Sequence, residues 1–248
     1  MIDDGLVDLV GHVDVAPAQH VLPFPAGTVG TRTGPVLSAA DSMTITLHGR
    51  GAHGSMPQAA VDPVVLAASI VMRLQGIVAR EVALGDTAVV TVGSIQAGTK
   101  TFDESVRSTV LDAIERIVRA ECEASRCPRD PEFELYDRYP LTDNDAATTD
   151  RVAQAFTDHF GDAAITLPQQ SASEDFSDLP RAFGVPSSYW GIGGIDPDTY
   201  RAAEDAGRVA DDIPVNHSAA FAPVLQPTLT TGTEALVVAA TAWLGHRG

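Results

Sequence analysis

Hydrophobic residues stand in short, irregular groups over the first 39 positions and become periodic only beyond them. Gly and Pro recur through this segment, and its apolar pieces at 14–16 and 28–29 predict buried strands whose partners lie elsewhere in the chain. Gln19-His20-Val21 falls between these pieces, and we interpret it as part of an early loop. The segment is typical of one portion of a larger domain.

The pattern becomes regular from residue 43 onwards. Strict alternation at 43–47 predicts a half-exposed strand. Asp62-Pro63 is a typical helix start, and apolar residues at helical spacing predict a helix over 64–82. A β-branched run then predicts a strand over 87–95.

A second helix is expected to begin at Asp103 and to bury the apolar positions between 106 and 118, and a strand follows at 132–136. The resulting order is β-α-β-α-β. A ferredoxin-like domain needs one more strand before its second helix, and the pattern shows no such strand. We predict a separate domain over 40–139 that lacks this strand.

Strands and helices alternate from residue 148 to the end, which favours an α/β arrangement with a mainly parallel sheet. The sequence predicts helices over 148–160 and 227–244, a strand at 163–167, and a buried strand over 184–194 that ends in a Gly-rich turn. We assign 1–39 and 140–248 to this domain.

Composition and charge argue against some classes of function but do not identify one. The 248 residues carry a formal net charge of −17, which repels nucleic-acid phosphates and anionic lipids. No apolar run has the length of a membrane span, and the first residues lack the basic start of a signal peptide. We expect a cytoplasmic protein with a small-molecule substrate, in which Cys122 and Cys127 are free thiols.

Four places carry side chains with catalytic or ligand chemistry. His20 and His217 are imidazoles in predicted loops, where each either binds a metal or only holds the backbone. His53 follows a strand in a Gly-rich turn, where it either shapes the turn or donates a hydrogen bond to a developing oxyanion. Glu174 and Asp175 form a polar turn that binds metal, transfers protons or is simply solvated.

Several stretches together resemble one family, the metal-dependent amidohydrolases that include hippurate hydrolase, N-acyl-amino-acid deacylases and the plant indole-acetyl-amino-acid hydrolases. The matching stretches, in the family's order, are QHVLPFPAGTVGTRTGPVLSAADS, HGRGAHGSMPQAAVDPVVLAA, SASEDF, YWGIGG and VNHSAAFAP. The resemblance implies a zinc-peptidase-like catalytic domain with a mainly parallel sheet. It also implies an inserted ferredoxin-like α+β domain that dimerises through its helix and edge strand.

The resemblance implies hydrolysis of the amide bond of an N-acyl amino acid or small peptide by a water held between two divalent metal ions. The ions would be zinc, or else manganese or cobalt. His20 and His217 resemble metal ligands. His53 resembles the residue that polarises the substrate carbonyl in the partner subunit. Gly193 and Gly194 resemble a turn that lines the substrate pocket.

The SASEDF segment, with Glu174 and Asp175, is taken as a support of the site and not as a direct ligand. Three departures from the family pattern matter. The family's Cys-Gly-His-Asp-x-His segment and Glu-Glu pair are absent, a strand and its Asn are missing between Gly98 and Phe102, and Ala219 replaces a proline. We expect this chain alone to bind metal weakly and to be inactive. The alternative is a non-catalytic remnant that folds and dimerises.

Overall fold

The computed structural model describes residues 1–92, 97–101 and 104–244. The helices and strands are α1 (Leu6–Val10), β1 (Ala16–Pro25), β2 (Val29–Thr31), β3 (Gly34–Leu37), β4 (Ala39–Thr46), α2 (Pro63–Leu74), α3 (Gly76–Arg80), β5 (Ala88–Val92), β6 (Ala97–Thr101), α4 (Glu104–Ala124), β7 (Glu132–Tyr139), β8 (Thr142–Asn144), α5 (Ala146–Phe160), β9 (Ala164–Thr166), α6 (Asp178–Phe183), β10 (Ser187–Ile195), α7 (Pro197–Asp205), α8 (Val209–Asp212) and α9 (Thr228–Leu244). The chain divides into two compact units, one of residues 1–36, 142–170 and 176–248, the other of residues 37–141 and 171–175.

The first unit is built on a four-stranded sheet of order β1-β10-β2-β9. β1 runs parallel to β10 and β2 runs parallel to β9, while β10 and β2 are antiparallel. Every residue of β10 is buried, as expected of a strand covered on both faces. The mixed α/β class and the mainly parallel sheet predicted from the sequence are confirmed.

An apolar cluster lies against one face of this sheet. Trp190 and Ile192 of β10 contact Val152 and Phe156 of α5 and the alanines of α9. Phe156 and Trp190 meet edge to face, with ring centroids 5.3 Å apart, a favoured aromatic geometry. This packing places α5 and α9 on one side of β10.

The second unit has a four-stranded antiparallel sheet of order β5-β6-β4-β7. α2 and α4 pack on it through one apolar cluster that includes Met43, Ile70, Val110 and Ile114. With α2 after β4 and α4 after β6, this is the ferredoxin-like arrangement.

The expected absence of the fourth strand is wrong. β6 occupies the position between β5 and β4 and pairs with both, so each inner strand has two neighbours. An unpaired inner edge would leave a row of backbone donors and acceptors without partners. The short segment at 97–101 supplies the partners for this edge. The predicted helix start at Asp103 lies outside the described residues.

Two other expectations are corrected. The helix predicted over 64–82 is two helices, because the chain departs from α2 at Gln75 before α3 begins. The first 39 residues are not loop-rich but hold three strands and the first residue of a fourth, and β1 finds its pairing partner, β10, near the opposite end of the sequence.

The stretch Pro63–Arg80 is apolar enough, by length and composition, to pass as a membrane span, and 22% of it is buried. Its inner residues Leu66, Ile70 and Leu74 belong to the core of the second unit. The outward residues Val64, Val65 and Met72 are 75%, 62% and 74% exposed. α2 is therefore a core helix that also presents an apolar outer face.

Candidate metal and substrate site

Gln19 fixes the register and facing of β1. Its side-chain oxygen accepts a hydrogen bond from the indole N–H of Trp190 at 3.1 Å, and its amide nitrogen donates to the carbonyl of Gly232 in α9 at 3.1 Å. Alternate residues of a strand face opposite sides of its sheet. Gln19 faces α9, so His20 faces the other side.

The expectation that His20 lies in a loop is wrong. It stands in the middle of β1, aligned with Gly191 of β10, and is half-buried. Three prolines within β1 made the segment look irregular in the sequence. Its ring Nδ1 lies 2.7 Å from the carbonyl oxygen of Val21. Since a carbonyl only accepts, Nδ1 carries the proton and Nε2 carries the lone pair that metal coordination uses.

His217 occupies a tight turn of residues 215–218. The N–H of Ser218 donates to the carbonyl of Val215 at 3.0 Å, and His217 is exposed with a φ of 66°. This left-handed conformation is uncommon outside glycine and asparagine. Backbone strain of this kind is a motive for a functional hypothesis at His217.

The β1 strand and the 215–218 turn converge on one atom. Asn216, the residue before His217, donates its side-chain N–H to the carbonyl oxygen of Val21 at 2.9 Å. The same oxygen accepts from His20. The Val224 N–H also donates to the carbonyl of Gly194, at 2.9 Å, so the loop is fixed to the end of β10 as well. His20 and the His217 turn are thus held side by side.

Two imidazoles alone are fewer side chains than a metal site in a protein uses. Across 1–92, 97–101 and 104–244, no group of three or more His, Cys, Asp or Glu side chains is placed to hold a metal ion. A structural zinc site uses four protein ligands and a catalytic one uses three. The chemistry of the two side chains is compatible with metal binding, but a metal ion held here would need one or more ligands besides His20 and His217.

Gly193 and Gly194 lie within β10 and not in a turn after it, which corrects the sequence interpretation. A Cβ on Gly193 would stand 1.8 Å from the carbonyl oxygen of Pro25, and one on Gly194 would stand 2.6 Å from Val21 Cγ1. Close packing between strands explains why both positions are glycine. Their role in lining a substrate pocket stays a prediction.

His53 is exposed in the turn that follows β4. The backbone N–H of Ser55 donates to its Nδ1 at 3.2 Å, and the Ser55 hydroxyl lies 2.8 Å from the same nitrogen. An Nδ1 that accepts leaves the proton of the neutral ring on Nε2. The turn therefore presents an outward Nε2–H, the donor that stabilisation of a carbonyl oxyanion requires.

The segment around Glu174 and Asp175 precedes α6. Ser38 Oγ donates to the carbonyls of Ser171 and Ala172, at 2.8 and 2.9 Å, which fixes the start of this turn. Glu174 is half-buried and Asp175 is exposed. Sequence reasoning missed the anchoring residues Gln19 and Asn216, because polar side chains with partners far along the chain leave no spacing signal.

Residues 38–124 match the model of the M20 peptidase dimerisation domain. The thermostable carboxypeptidase 2 of Saccharolobus solfataricus is 31% identical over 193 residues, which are 71% of this chain and 48% of that protein. The chain is a relative of the M20 amidohydrolases. This confirms the family resemblance drawn from the sequence.

The other M20 relatives agree. The N-acetyldiaminopimelate deacetylase of a Geobacillus strain is 31% identical over 66% of this chain and 47% of that protein. A solved Bacillus subtilis structure, described as a dinuclear metal-binding M20 peptidase, superposes with a TM-score of 0.64 at 20% identity. It covers 96% of this chain and 60% of that one. The chain spans about half the length of the curated relatives it matches.

Proposed function

We propose that this M20 chain forms part of an enzyme that hydrolyses the amide bond of an N-acyl amino acid or small peptide. The observation that carries the proposal is the convergence of His20 and the His217 turn on the carbonyl of Val21. The relatives are carboxypeptidases and deacetylases by name, which supports amide hydrolysis as the reaction class. A cytoplasmic location stays a prediction.

His20 and His217 would hold metal in this enzyme. A pair of divalent ions supplies an activated water for attack on a carbonyl and offsets the charge that develops there. The ions would be zinc, manganese or cobalt. The protein's own contribution is orientation: the Val21 carbonyl fixes the ring of His20, and Asn216 fixes the backbone that carries His217.

His53 would donate a hydrogen bond from Nε2–H to the substrate carbonyl oxygen as negative charge builds there. Removing one such donor costs about 10²–10³ in turnover. The residue would serve the substrate of the partner subunit in a homodimer built through the M20 dimerisation domain. The exposed apolar face of α2 supports this dimer, since exposed apolar patches mark interfaces.

A metal-binding experiment tests the ligand proposal on the chain as it stands. Equilibrium dialysis against Zn²⁺ should show weak binding. His20→Ala and His217→Ala should each reduce the Zn²⁺ affinity by about tenfold or more, since loss of even a group that supports a metal ligand has an effect of that size. His159→Ala is the matched control, because His159 lies in the same unit beside Glu234. Equal binding in all four proteins would refute the assignment of both ligands.

A second experiment separates the enzyme from the alternative of a non-catalytic remnant. The intact mass of the protein isolated from its native cells shows whether the natural chain exceeds 26.0 kDa. That protein is then assayed for amino acid released from N-acetyl and N-benzoyl substrates with Zn²⁺, Mn²⁺ or Co²⁺. Metal-dependent release supports the enzyme, and a stable dimer with no release under any metal supports the remnant.

Mixed dimers test whether His53 acts across the subunit boundary. Native-length His53→Ala and His217→Ala proteins are each expected to be inactive. After subunit exchange, one site in each mixed dimer combines an intact metal cluster with an intact His53, so activity should return. Persistent inactivity in fully exchanged dimers would contradict a role for His53 in the partner's site.

A further inference from the structure

The end of α4 brings the two cysteines of the chain together. The N–H of Cys127 donates to the carbonyl of Cys122, and the N–H of Arg126 donates to the carbonyl of Glu123, both at 3.0 Å. Arg126 between them has a φ of 56°. These are the two hydrogen bonds and the left-handed residue of a Schellman motif.

A Schellman motif places the side chain after the left-handed residue against one in the last turn of the helix. Here those side chains are the thiols of Cys127 and Cys122, which belong to one apolar cluster. Burial, and next a side-chain hydrogen bond with Cys127, raise the pKa of the Cys122 thiol to about 12. The two side chains therefore pack in the same cluster, on backbones already joined by a hydrogen bond.

The two thiols differ in their access to solvent. Cys122 is 4% exposed, whereas Cys127 is half-buried. Both line an open depression of about 440 Å³ that also contains Arg119, Arg126 and Arg129, together with Glu123 and Asp130. A small solute that enters this depression reaches Cys127 first.

We propose that Cys122 and Cys127 are a redox modification site, at which hydrogen peroxide converts the two thiols into a reversible intramolecular disulfide. This inference does not depend on the proposed hydrolase activity. A disulfide needs adjacent backbones with side chains that point together, and the helix-end motif supplies both. The bond would fix the last turn of α4 to the segment that leads into β7.

The chemistry proceeds in two balanced steps. The Cys127 thiolate attacks one peroxide oxygen, the O–O bond breaks, and the departing hydroxide takes a proton to become water, leaving a sulfenic acid on Cys127. The sulfur of Cys122 then attacks the sulfur of Cys127. The S–OH bond breaks, and the hydroxide leaves as water with the Cys122 proton. Two thiols are oxidised and one peroxide is reduced to two waters.

The site is tested by intact mass. The reduced, folded chain is treated with a small excess of hydrogen peroxide, then blocked with N-ethylmaleimide in denaturant. Because the chain has two cysteines, the expected product has lost two hydrogen atoms and carries no maleimide. Treatment with dithiothreitol before blocking should restore two maleimide adducts.

Single variants test the order of the steps. In Cys127→Ser, the buried Cys122 should survive peroxide and take one maleimide in denaturant. In Cys122→Ser, Cys127 should instead gain oxygen atoms, because no second thiol resolves its sulfenic acid. The proposal is overturned if the native chain keeps two reactive thiols, gains oxygen on both cysteines without losing hydrogen, or forms disulfides only between chains.

Discussion

The carbonyl oxygen of Val21 accepts hydrogen bonds from His20 beside it and from Asn216, 195 positions further along the chain. A carbonyl has two lone pairs, so this one atom uses both to orient groups of the candidate site. The orientation does not depend on a metal ion. The arrangement is a preorganised one, in which supporting hydrogen bonds hold the segments of the two residues that we propose as metal ligands.

His217 is the residue where function and stability are expected to oppose each other. His217→Asn places a residue that tolerates the left-handed conformation at the third position of the 215–218 turn. The free energy of unfolding should stay unchanged or rise by up to about 1 kcal/mol, while Zn²⁺ binding falls. Urea denaturation and dialysis on the same protein measure both. Ser218→Ala, one position on, is a control that keeps the imidazole.

A protonation state is predicted for His53. Because Nδ1 accepts from the backbone N–H and lies against the hydroxyl of Ser55, the neutral ring should hold its proton on Nε2. Two-bond ¹H–¹⁵N correlation spectra above neutral pH report this directly. Ser55→Ala should lower the Nε2–H fraction while the backbone contact remains, and Ser218→Ala should not change it. A dominant Nδ1–H form in the unaltered chain would contradict the proposed donor role.

At the scale of elements, helix starts join the sheet of the first unit to its helices. Asp145 caps α5, accepting from the backbone N–H of Thr148 at 2.8 Å, and its own N–H donates to the carbonyl of Ser187 in β10 at 3.0 Å. One residue thus begins the helix and ties it to the central strand. Asp62 caps α2 in the other unit, where its carboxylate accepts from the backbone N–H groups of Val64 and Val65.

Removing the Asp145 cap gives a pH-dependent prediction. Hydrogen bonds from the Thr148 side chain and backbone hold the pKa of Asp145 below its ordinary value of 3.8. A carboxyl whose pKa is lower in the folded state stabilises the fold above the unfolded pKa, and this contribution is lost as pH falls below it. Asp145→Ala should cost about 0.5–2 kcal/mol at neutral pH.

The matched control is Asp145→Asn, which keeps a capping oxygen at every pH. Its difference in unfolding free energy from the unaltered chain, measured by urea denaturation, should shrink as pH is lowered from about 6 towards about 3, because the carboxyl of Asp145 becomes protonated below its ordinary pKa of 3.8. A difference that grows on acidification would show that the carboxylate does not stabilise α5.

At the scale of the whole molecule, the outer face of α2 is the surface expected to bind a second copy. Val65 and Met72 are seven positions apart and share one face of the helix. Met72→Glu would place a carboxylate in the interface and should weaken dimerisation by about tenfold or more. Sedimentation equilibrium measures this. Leu229→Glu, at a 59% exposed position in α9, is the control that should leave the dimer intact.

The sequence predicts the elements whose signals are local. Periodicity finds α2, α4 and α9, and the Asp62-Pro63 start of α2 is confirmed. The local pattern does not reveal β1, because a parallel strand depends on a distant partner and the prolines of β1 imitate a loop. The pattern also makes β4 too short, since Asp41 is charged but lies buried, where it pairs with the buried Arg107 of α4. The charge of Asp41 predicts an exposed position at the end of a strand. Its ion pair with Arg107 becomes apparent only when β4 and α4 are placed together in the structure.

For the candidate site too, the sequence supplies some features and only the structure supplies the others. His20, His53 and His217 were singled out by resemblance, and the structure shows how each is held. The strand location of His20, the left-handed backbone of His217 and the Ser55 contact of His53 depend on three-dimensional geometry. No spacing rule joins residue 20 to residue 217, so the pairing of their segments could not be derived from pattern alone.

The pairing of β1 with β10 has a consequence for the order in which parts of the protein fold during translation. Val21 leaves the ribosome long before Asn216 is made, and the contiguous segment 37–141 of the second unit emerges between them. That segment has all its strands at hand and can fold during translation, because domains fold as units. β1 meanwhile has no parallel neighbour and must wait, its backbone donors and acceptors open to other chains. The link between the Val21 carbonyl and Asn216 therefore forms only after the segment 37–141 has left the ribosome.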